Sequence, residues 1–333
     1  MISPSRLDEG FYDPFEGAEL LPTVSVVVPT LDEIASIDGC LDAIAAQGYP
    51  GIVEVLVVDG GSSDGTVARC LARGDVEVLA NPDRIQAAAI NIALAHASGD
   101  VTVRVDGHCR IAPDYVERAV AAIESSGAAM VGGGMNPTAT GAQRAGIAAA
   151  MRSRFGVGPA RFHGEGEPGW VDTVYLGVFR TNIARKVGGY DARMVANEDA
   201  EFAHRMARHG GIWFDPSIRS TYSPRSTLPA VARQFHRYGR YRARTVVWHP
   251  ESLRPRQLAP VALVVGLVVL PRRRQLAALY AVVVAAATVL DGTGGPAERA
   301  SFAGAVPVMH LSWGAGFIRG VISDLLGGRR GRR

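Results

Sequence analysis

From Val24 onward, short β-branched runs alternate with helical patterns. Val24–Val28 and Val53–Val58 are apolar runs interrupted only by Ser25 and Glu54, the mark of strands covered on both faces of a parallel sheet. Between them Ile34, Ile37, Leu41 and Ile44 recur at helical spacing, which makes one βαβ unit. The rhythm then predicts a helix over 66–72, a strand over 76–80, a helix over 85–97 ended by Gly99, and a strand over 101–105. The expected fold class is α/β, with a doubly wound mixed sheet whose ligands gather at the carboxyl ends of the parallel strands.

Past Ala112 the pattern loosens. A helix over 113–125, the run Gly132–Gly134, a strand over 171–180, a helix over 197–208 and a strand at 212–214 are expected. Residues 226–247 read as a basic amphipathic helix in which Arg233, Arg237, Arg240, Arg242 and Arg244 alternate with Phe235, Tyr238 and Tyr241. Two apolar runs follow, 258–270 and 276–290, separated by Pro271 and three arginines, with a weaker run over 300–322. The first two fall short of the roughly 20 residues that span a bilayer. Three arginines between them also oppose an outward crossing, so a shallow or re-entrant hairpin is favoured over two clean spans or a buried helical pair.

Composition sharpens this picture. The 333 residues are 47% hydrophobic and 20% charged, which excludes a disordered chain and allows a catalytic domain with an appendage. The net charge of +3 is unevenly placed: residues 271–333 hold nine arginines against three acids. Basic charge beside apolar runs fits an anionic membrane face, and no nucleic-acid partner is expected. Cys40, Cys70 and Cys109 lack metal-site or redox spacing, so reduced thiols are expected. Residues 1–22 carry five acids and no apolar core, so no secretory signal is expected there.

The candidate chemistry stands at the strand ends. Pro29, Thr30 and Glu33 follow the first strand, and Asp59 opens Gly60-Gly61-Ser62-Ser63-Asp64-Gly65 after the second. Carboxylates there can bind a base and ribose while glycine admits close backbone approach; capped βα turns are the plainer reading. The spacing is not GxGxxG, which counts against a dinucleotide enzyme. Arg84 and Asn91 follow the third strand. Asp106 and His108, two apart after the fourth, suit Mn²⁺ or Mg²⁺, although a surface turn with a solvated histidine gives the same pattern. Asn197-Glu198-Asp199 opens a helix, where a carboxylate can cap or act as a base. Gln234, Arg237 and Tyr238 share one helix face.

In order, these segments resemble the inverting family 2 glycosyltransferases with the GT-A nucleotide-sugar fold, from about Val24 to Arg244. The succinoglycan-type membrane-associated glucosyltransferases are suggested by 103–108, 171–177, 197–199, 222–225 and 309–314. The resemblance implies a nucleotide pocket of Pro29, Thr30, Glu33, Asp59 and Asp64, with Asp59 on a uracil-type base and Arg84 and Asn91 nearby. Asp106 and His108 take the place of a DxD metal motif, with His for the second Asp. Asp199 matches the general base, with Glu198 setting its environment. Gln234, Arg237 and Tyr238 match a QxxRW-like element with Tyr for Trp, and Arg225 or Arg237 would face the diphosphate.

The implied reaction moves a hexose, glucose by family default, from a UDP-sugar to a hydroxyl of a lipid-linked or other glycan acceptor at the cytoplasmic membrane face. The expected organisation is an N-terminal extension (1–22), a catalytic domain (23–225), an interface helix (226–256) and a membrane-associated hairpin with a basic tail (257–333). Residues 132–134 and 163–170 would flank the acceptor, with Trp170 or Trp213 as a stacking platform or a core residue. A processive synthase would need a longer membrane channel. A nucleotidyltransferase would need a Gly-rich triphosphate loop, and a silent scaffold would not need Asp59, Asp106 and Asp199 together.

Overall fold

The computed structural model describes residues 21–158, 166–222 and 224–327. The N-terminal extension up to residue 20, His163, Ser223 and the arginines at 329–333 lie outside the described residues.

The first half follows the hydrophobic pattern closely: β1 (Val24–Thr30), α1 (Ile37–Ala45), β2 (Ile52–Asp59), α2 (Thr66–Leu71), β3 (Glu77–Ala80), α3 (Gln86–His96) and β4 (Val101–Arg104). β3, β2, β1 and β4 are parallel neighbours in that order, so the chain reverses its direction of travel across the sheet at the β1/β4 junction. Every residue of β1 is buried because both faces are covered. Val24, Val26 and Val28 meet Ile37, Leu41 and Ile44 of α1, while Val27 meets Ala89 and Ala93 of α3.

The second half adds antiparallel strands. β5 (Cys109–Ile111), α4 (Tyr115–Ser126) and β6 (Met130–Pro137) are followed by α5 (Ala142–Arg152) and α6 (Arg154–Val157). Gly127, at φ 67°, ends α4 in the left-handed conformation that glycine adopts freely. β7 (Gly169–Trp170), β8 (Tyr175–Arg180), α7 (Thr181–Lys186), α8 (Glu198–Met206) and β9 (Ile212–Tyr222) complete the sheet, ordered β3-β2-β1-β4-β8-β6-β9-β5, with β7 also on β9. β9 runs far past the expected 212–214 because its second half pairs with both β5 and β6.

The C-terminal part departs from the expected hairpin-plus-tail. α9 (Leu228–Trp248), α10 (Leu258–Val269), α11 (Arg273–Leu290) and α12 (Pro296–Gly327) follow in turn. α12 is not membrane hairpin: Phe302, Ala305, Val306 and Met309 are buried with Ile147 and Ala150 of α5 and Val231 and Phe235 of α9. Glycines permit this. A Cβ on Gly316 would stand 2.0 Å from the His236 carbonyl oxygen, and one on Gly239 would stand 2.0 Å from that of Trp313. The expected interface helix α9 is thus sandwiched between α12 and the catalytic half. α10 and α11 remain the apolar, exposed pair, with Val268, Val269, Val282, Val289 and Leu290 each more than 60% exposed. α11 reaches 18 residues by recruiting Arg273 and Arg274. Among the described residues it is the one helix long and apolar enough to cross a membrane, with mean hydropathy 1.4.

Candidate active site

Four strand-end turns meet at the edge where the sheet reverses. The β1 and β2 turns are laced together. Asp32 accepts from the Ser63 amide (2.8 Å), and Asp64 accepts from the amides of Ile34 and Thr66 (3.0 Å each) and from the Thr66 hydroxyl (2.6 Å). These bonds hold the Asp64 carboxyl below its usual range, the Thr66 hydroxyl contributing most. Asp59 accepts from the Gly61 and Ser62 amides (2.8 Å each), the Ser62 hydroxyl (2.5 Å) and the Thr30 hydroxyl (3.2 Å). Four donors saturate this buried carboxylate, so it shapes the turn, and a base N–H would have to displace a hydroxyl to reach it.

Beside that turn lies a cavity of about 460 Å³ bounded by Asp59, Gly60, Gly61, Val78, Asn81 and Arg84. Asn81 donates to the Ile85 carbonyl (2.9 Å), while its own Oδ1 is buried without a hydrogen-bond partner. Pro29 sits inside β1, paired with Val58. Asn91 lies elsewhere. Its amide donates to the Tyr190 carbonyl and accepts from the Tyr190 N–H (2.7 Å each), clamping α3 to the turn before α8. Both functions of the side chain are engaged there, and it does not join the nucleotide cavity as expected.

The β4 turn carries the second group of residues. Gly107 lets this turn press on β1: a Cβ there would stand 3.1 Å from Thr30 and 3.3 Å from Glu33. His108 Nδ1 lies 3.0 Å from Glu33 Oε1, and this bond raises the imidazole pKa. Buried Asp106 accepts at Oδ1 from Arg104 Nε and Gln86 Nε2 (2.8 Å each), but at Oδ2 only from Arg104 Nη2 at 3.3 Å. Oδ2 therefore keeps capacity for a cation. Asp106, His108 and Cys109 bring one ligand atom each within 4.8 Å of one another. The carboxylate and imidazole suit Mn²⁺ or Mg²⁺. The Cys109 thiol does not, because burial raises its pKa and the Tyr175 hydroxyl lies 2.8 Å away.

Arg104 is the residue that sequence reasoning quoted but gave no role. It is buried at the end of β4 with its fork on Asp106, and its Nη2 is 3.7 Å from Glu198 Oε1. Its pKa stays well above normal because Asp106, Tyr190 and Glu198 outweigh its burial. Glu198 is itself buried, and desolvation, followed by the charge of Asp199, pushes it up to about 7. Asp199 is also raised, chiefly by desolvation, while Arg104 opposes. It is less completely buried than Glu198, and it accepts from the Ala200 amide at 2.7 Å.

α9 closes the other side. Gln234 donates to the Tyr238 hydroxyl (2.8 Å) and leaves its own Oε1 buried without a partner. Desolvation of the hydroxyl, followed by the charges of Asp199 and Glu198, raises the pKa of Tyr238, although the residue is 37% exposed. Arg237 is exposed on the same helix, and exposed Arg225 approaches His108 closely enough to oppose its protonation. The four non-glycine residues with positive φ among the described residues are Asp32, Arg84, Leu176 and Asn197. Three of them stand directly in these turns, strain held by the surrounding bonds. Trp170 is exposed and meets Trp213 edge-on at 5.1 Å.

A mixed sheet in this order, with buried acids at its reversal and a carboxylate at a helix entrance facing them, defines a GT-A type glycosyltransferase. The chain belongs to glycosyl transferase family 2, whose model matches residues 25–182. The succinoglycan biosynthesis protein ExoA of Rhizobium meliloti (strain 1021) is 33% identical over 321 residues, covering 90% of this chain and 96% of its own length. Glycosyltransferase AglE of Haloferax volcanii is 28% identical over 263 residues, 76% and 83% of the two chains. Among solved structures, mannosyltransferase PcManGT from Pyrobaculum calidifontis, in complex with GDP-Man and Mn²⁺, aligns with a TM-score of 0.56 at 20% identity, covering 93% and 88%. S. aureus TarS in complex with UDP-GlcNAc gives 0.52 at 15%, covering 92% of each chain. The chain is therefore a family 2 glycosyltransferase of polysaccharide or glycan biosynthesis.

Proposed function

We propose that this enzyme transfers a hexose from a UDP-sugar to a hydroxyl of a lipid-linked glycan acceptor at the cytoplasmic membrane face, inverting the anomeric carbon. The observation that carries the reading is the asymmetry of the acidic pair. Glu198 is buried against Arg104, whereas its neighbour Asp199 keeps part of its surface accessible at the entrance of α8. An acceptor hydroxyl is a weak nucleophile and needs a carboxylate to take its proton as the new bond forms. Asp199 is that base. Its raised pKa makes it a better proton acceptor than an exposed aspartate.

The donor's nucleoside fits the cavity beside Gly60 and Arg84, whose lining includes Asn81 with its unpaired side-chain oxygen. Mn²⁺ or Mg²⁺ would be held by Asp106 Oδ2 and His108, and when bound it supplies charge neutralisation for the diphosphate. Arg104 orients Asp106 through its two hydrogen bonds. Arg237 and Arg225 add positive charge where the nucleoside diphosphate leaves. One displacement with one base needs no second nucleophilic carboxylate, so an α-linked donor gives a β-linkage. The exposed α10/α11 pair with Arg272, Arg273 and Arg274 supports membrane association beside a lipid-linked acceptor.

The test is UDP or GDP release from a panel of nucleotide sugars with each metal, for wild type and Asp199→Asn. One donor should be turned over with metal, and the substitution should lower the rate by about 10²–10⁴-fold without loss of nucleotide binding. Absence of turnover with every donor, lipid included, would overturn the reading.

A further inference from the structure

Near the C-terminal end of α8, His204 and His249 lie with ring centroids 4.9 Å apart. His204 sits in the last turn of α8, and His249 terminates α9. Glu251 stands in the one-turn 3₁₀ segment Pro250–Ser252 that follows. Each offers one ligand atom, and the three atoms fall within 4.8 Å of one another. We propose that His204, His249 and Glu251 form a zinc-type divalent metal site, separate from Asp106/His108, that ties α8 to the end of α9.

Three observations carry this. His204 Nε2 and Glu251 Oε1 are 3.0 Å apart, close to the edge of about 3.3 Å that a tetrahedral site with bonds of about 2.0 Å requires. His249 is already oriented from behind: its Nε2 is 3.2 Å from Glu201 Oε1, and that carboxylate is gripped through both oxygens by Arg205 at 2.7 Å each. A buried carboxylate on one imidazole nitrogen fixes the tautomer and leaves the lone pair on the other, Nδ1, as ligand; this is the usual support for a metal-bound histidine. The third is a cationic stand-in. Arg208 Nη2 lies 2.8 Å from Glu251 Oε1 and 3.5 Å from His204 Nε2, so positive charge already occupies the place between the ligand atoms. The Arg208 side chain is 61% exposed and can swing aside at little cost.

Two imidazoles and one carboxylate favour Zn²⁺ over Mn²⁺ or Mg²⁺, which prefer oxygen-rich sets. The ion would not touch substrate. Its role is positional, because α8 begins with Glu198-Asp199 and α9 carries Gln234, Arg237 and Tyr238, and the clamp would fix one against the other.

The test is Zn²⁺ binding by equilibrium dialysis on the metal-stripped full chain in detergent, read together with thermal unfolding with and without Zn²⁺. Glu251→Gln, at an exposed position, should weaken Zn²⁺ binding at least about tenfold and abolish the zinc-induced rise in Tm, as should His204→Ala. Asp106→Asn should leave this Zn²⁺ bound. Arg208→Ala should tighten it several-fold by removing the competing cation, an effect opposite to that expected if the group were only an ion-pair cluster. Unchanged Zn²⁺ affinity in Glu251→Gln, loss of Zn²⁺ in Asp106→Asn alone, or no zinc-dependent Tm change in wild type would overturn the proposal. None of these readings depends on glycosyl transfer.

Discussion

Arg104 and Glu198, from the end of β4 and the start of α8, face each other at 3.7 Å with both side chains less than a tenth exposed. The same guanidinium holds Asp106, so one buried cation serves both Asp106 and Glu198. Arg104→Met would leave Asp106 and Glu198 buried without their partner. We expect a loss of about 3–5 kcal/mol in denaturant unfolding and little remaining activity. A stability change under about 1 kcal/mol would show that the bridge does not hold the site together.

Protonation of Glu198 sets a second prediction. Its carboxyl is raised in the folded state, from an ordinary 4.5 to about 7, so the folded form binds more protons than the unfolded one between those values. Its contribution to stability is full below about pH 4.5 and is lost as pH rises towards 7. Glu198→Gln should flatten this fall. Denaturant unfolding between pH 4.5 and 7 checks this. An unchanged pH slope in Glu198→Gln would show that this carboxyl is not the group responsible.

Helix crossing gives a third. Gly316→Ala would drive a methyl group into the His236 carbonyl at 2.0 Å, a backbone atom that cannot yield. Displacing α9 should destabilise by about 1–3 kcal/mol and lower kcat through Gln234, Arg237 and Tyr238. Gly304→Ala, whose new methyl would meet only Leu228 Cδ1 at 3.4 Å, is the control and should be nearly silent.

The exposed hairpin gives a fourth. Val282→Glu with Val289→Glu alters two side chains that are 64% and 71% exposed. Losing lipid burial of two valines, about 1.5–3 kcal/mol each, predicts at least a tenfold weaker partition onto anionic vesicles. Donor hydrolysis in detergent should be unchanged. Equal sedimentation of variant and wild type with vesicles would remove the hairpin from the membrane.

The parallel half was legible because β1 and the second half of β2 are buried on both faces and write that fact as valine-rich runs, and because Ala87, Ala89 and Ala93 leave room for α3 to lie on the sheet. Asp199 was legible as an acid at a helix entrance. What periodicity does not carry is the partner. Arg104 reads as an ordinary polar strand end until Asp106 and Glu198 are seen around it. Asn91 reads as a binding residue until Tyr190 takes both ends of its amide. α12 reads as a weaker copy of the apolar runs before it, because a glycine's value at a crossing depends on the helix it meets, and that helix lies some eighty residues away at Gly239.

The meeting of Gly316 with α9 also bears on how the enzyme comes into being. α12 is translated after α10 and α11, yet it forms one wall of the pocket that holds Phe235 and, with it, the register of Gln234 and Tyr238. The catalytic helix cannot settle until the apolar pair has emerged from the ribosome. The order of synthesis thereby puts the exposed apolar pair outside the ribosome before the packing around α9 is complete. A chain cut at residue 257 would yield an unfinished active site in place of a soluble catalytic core.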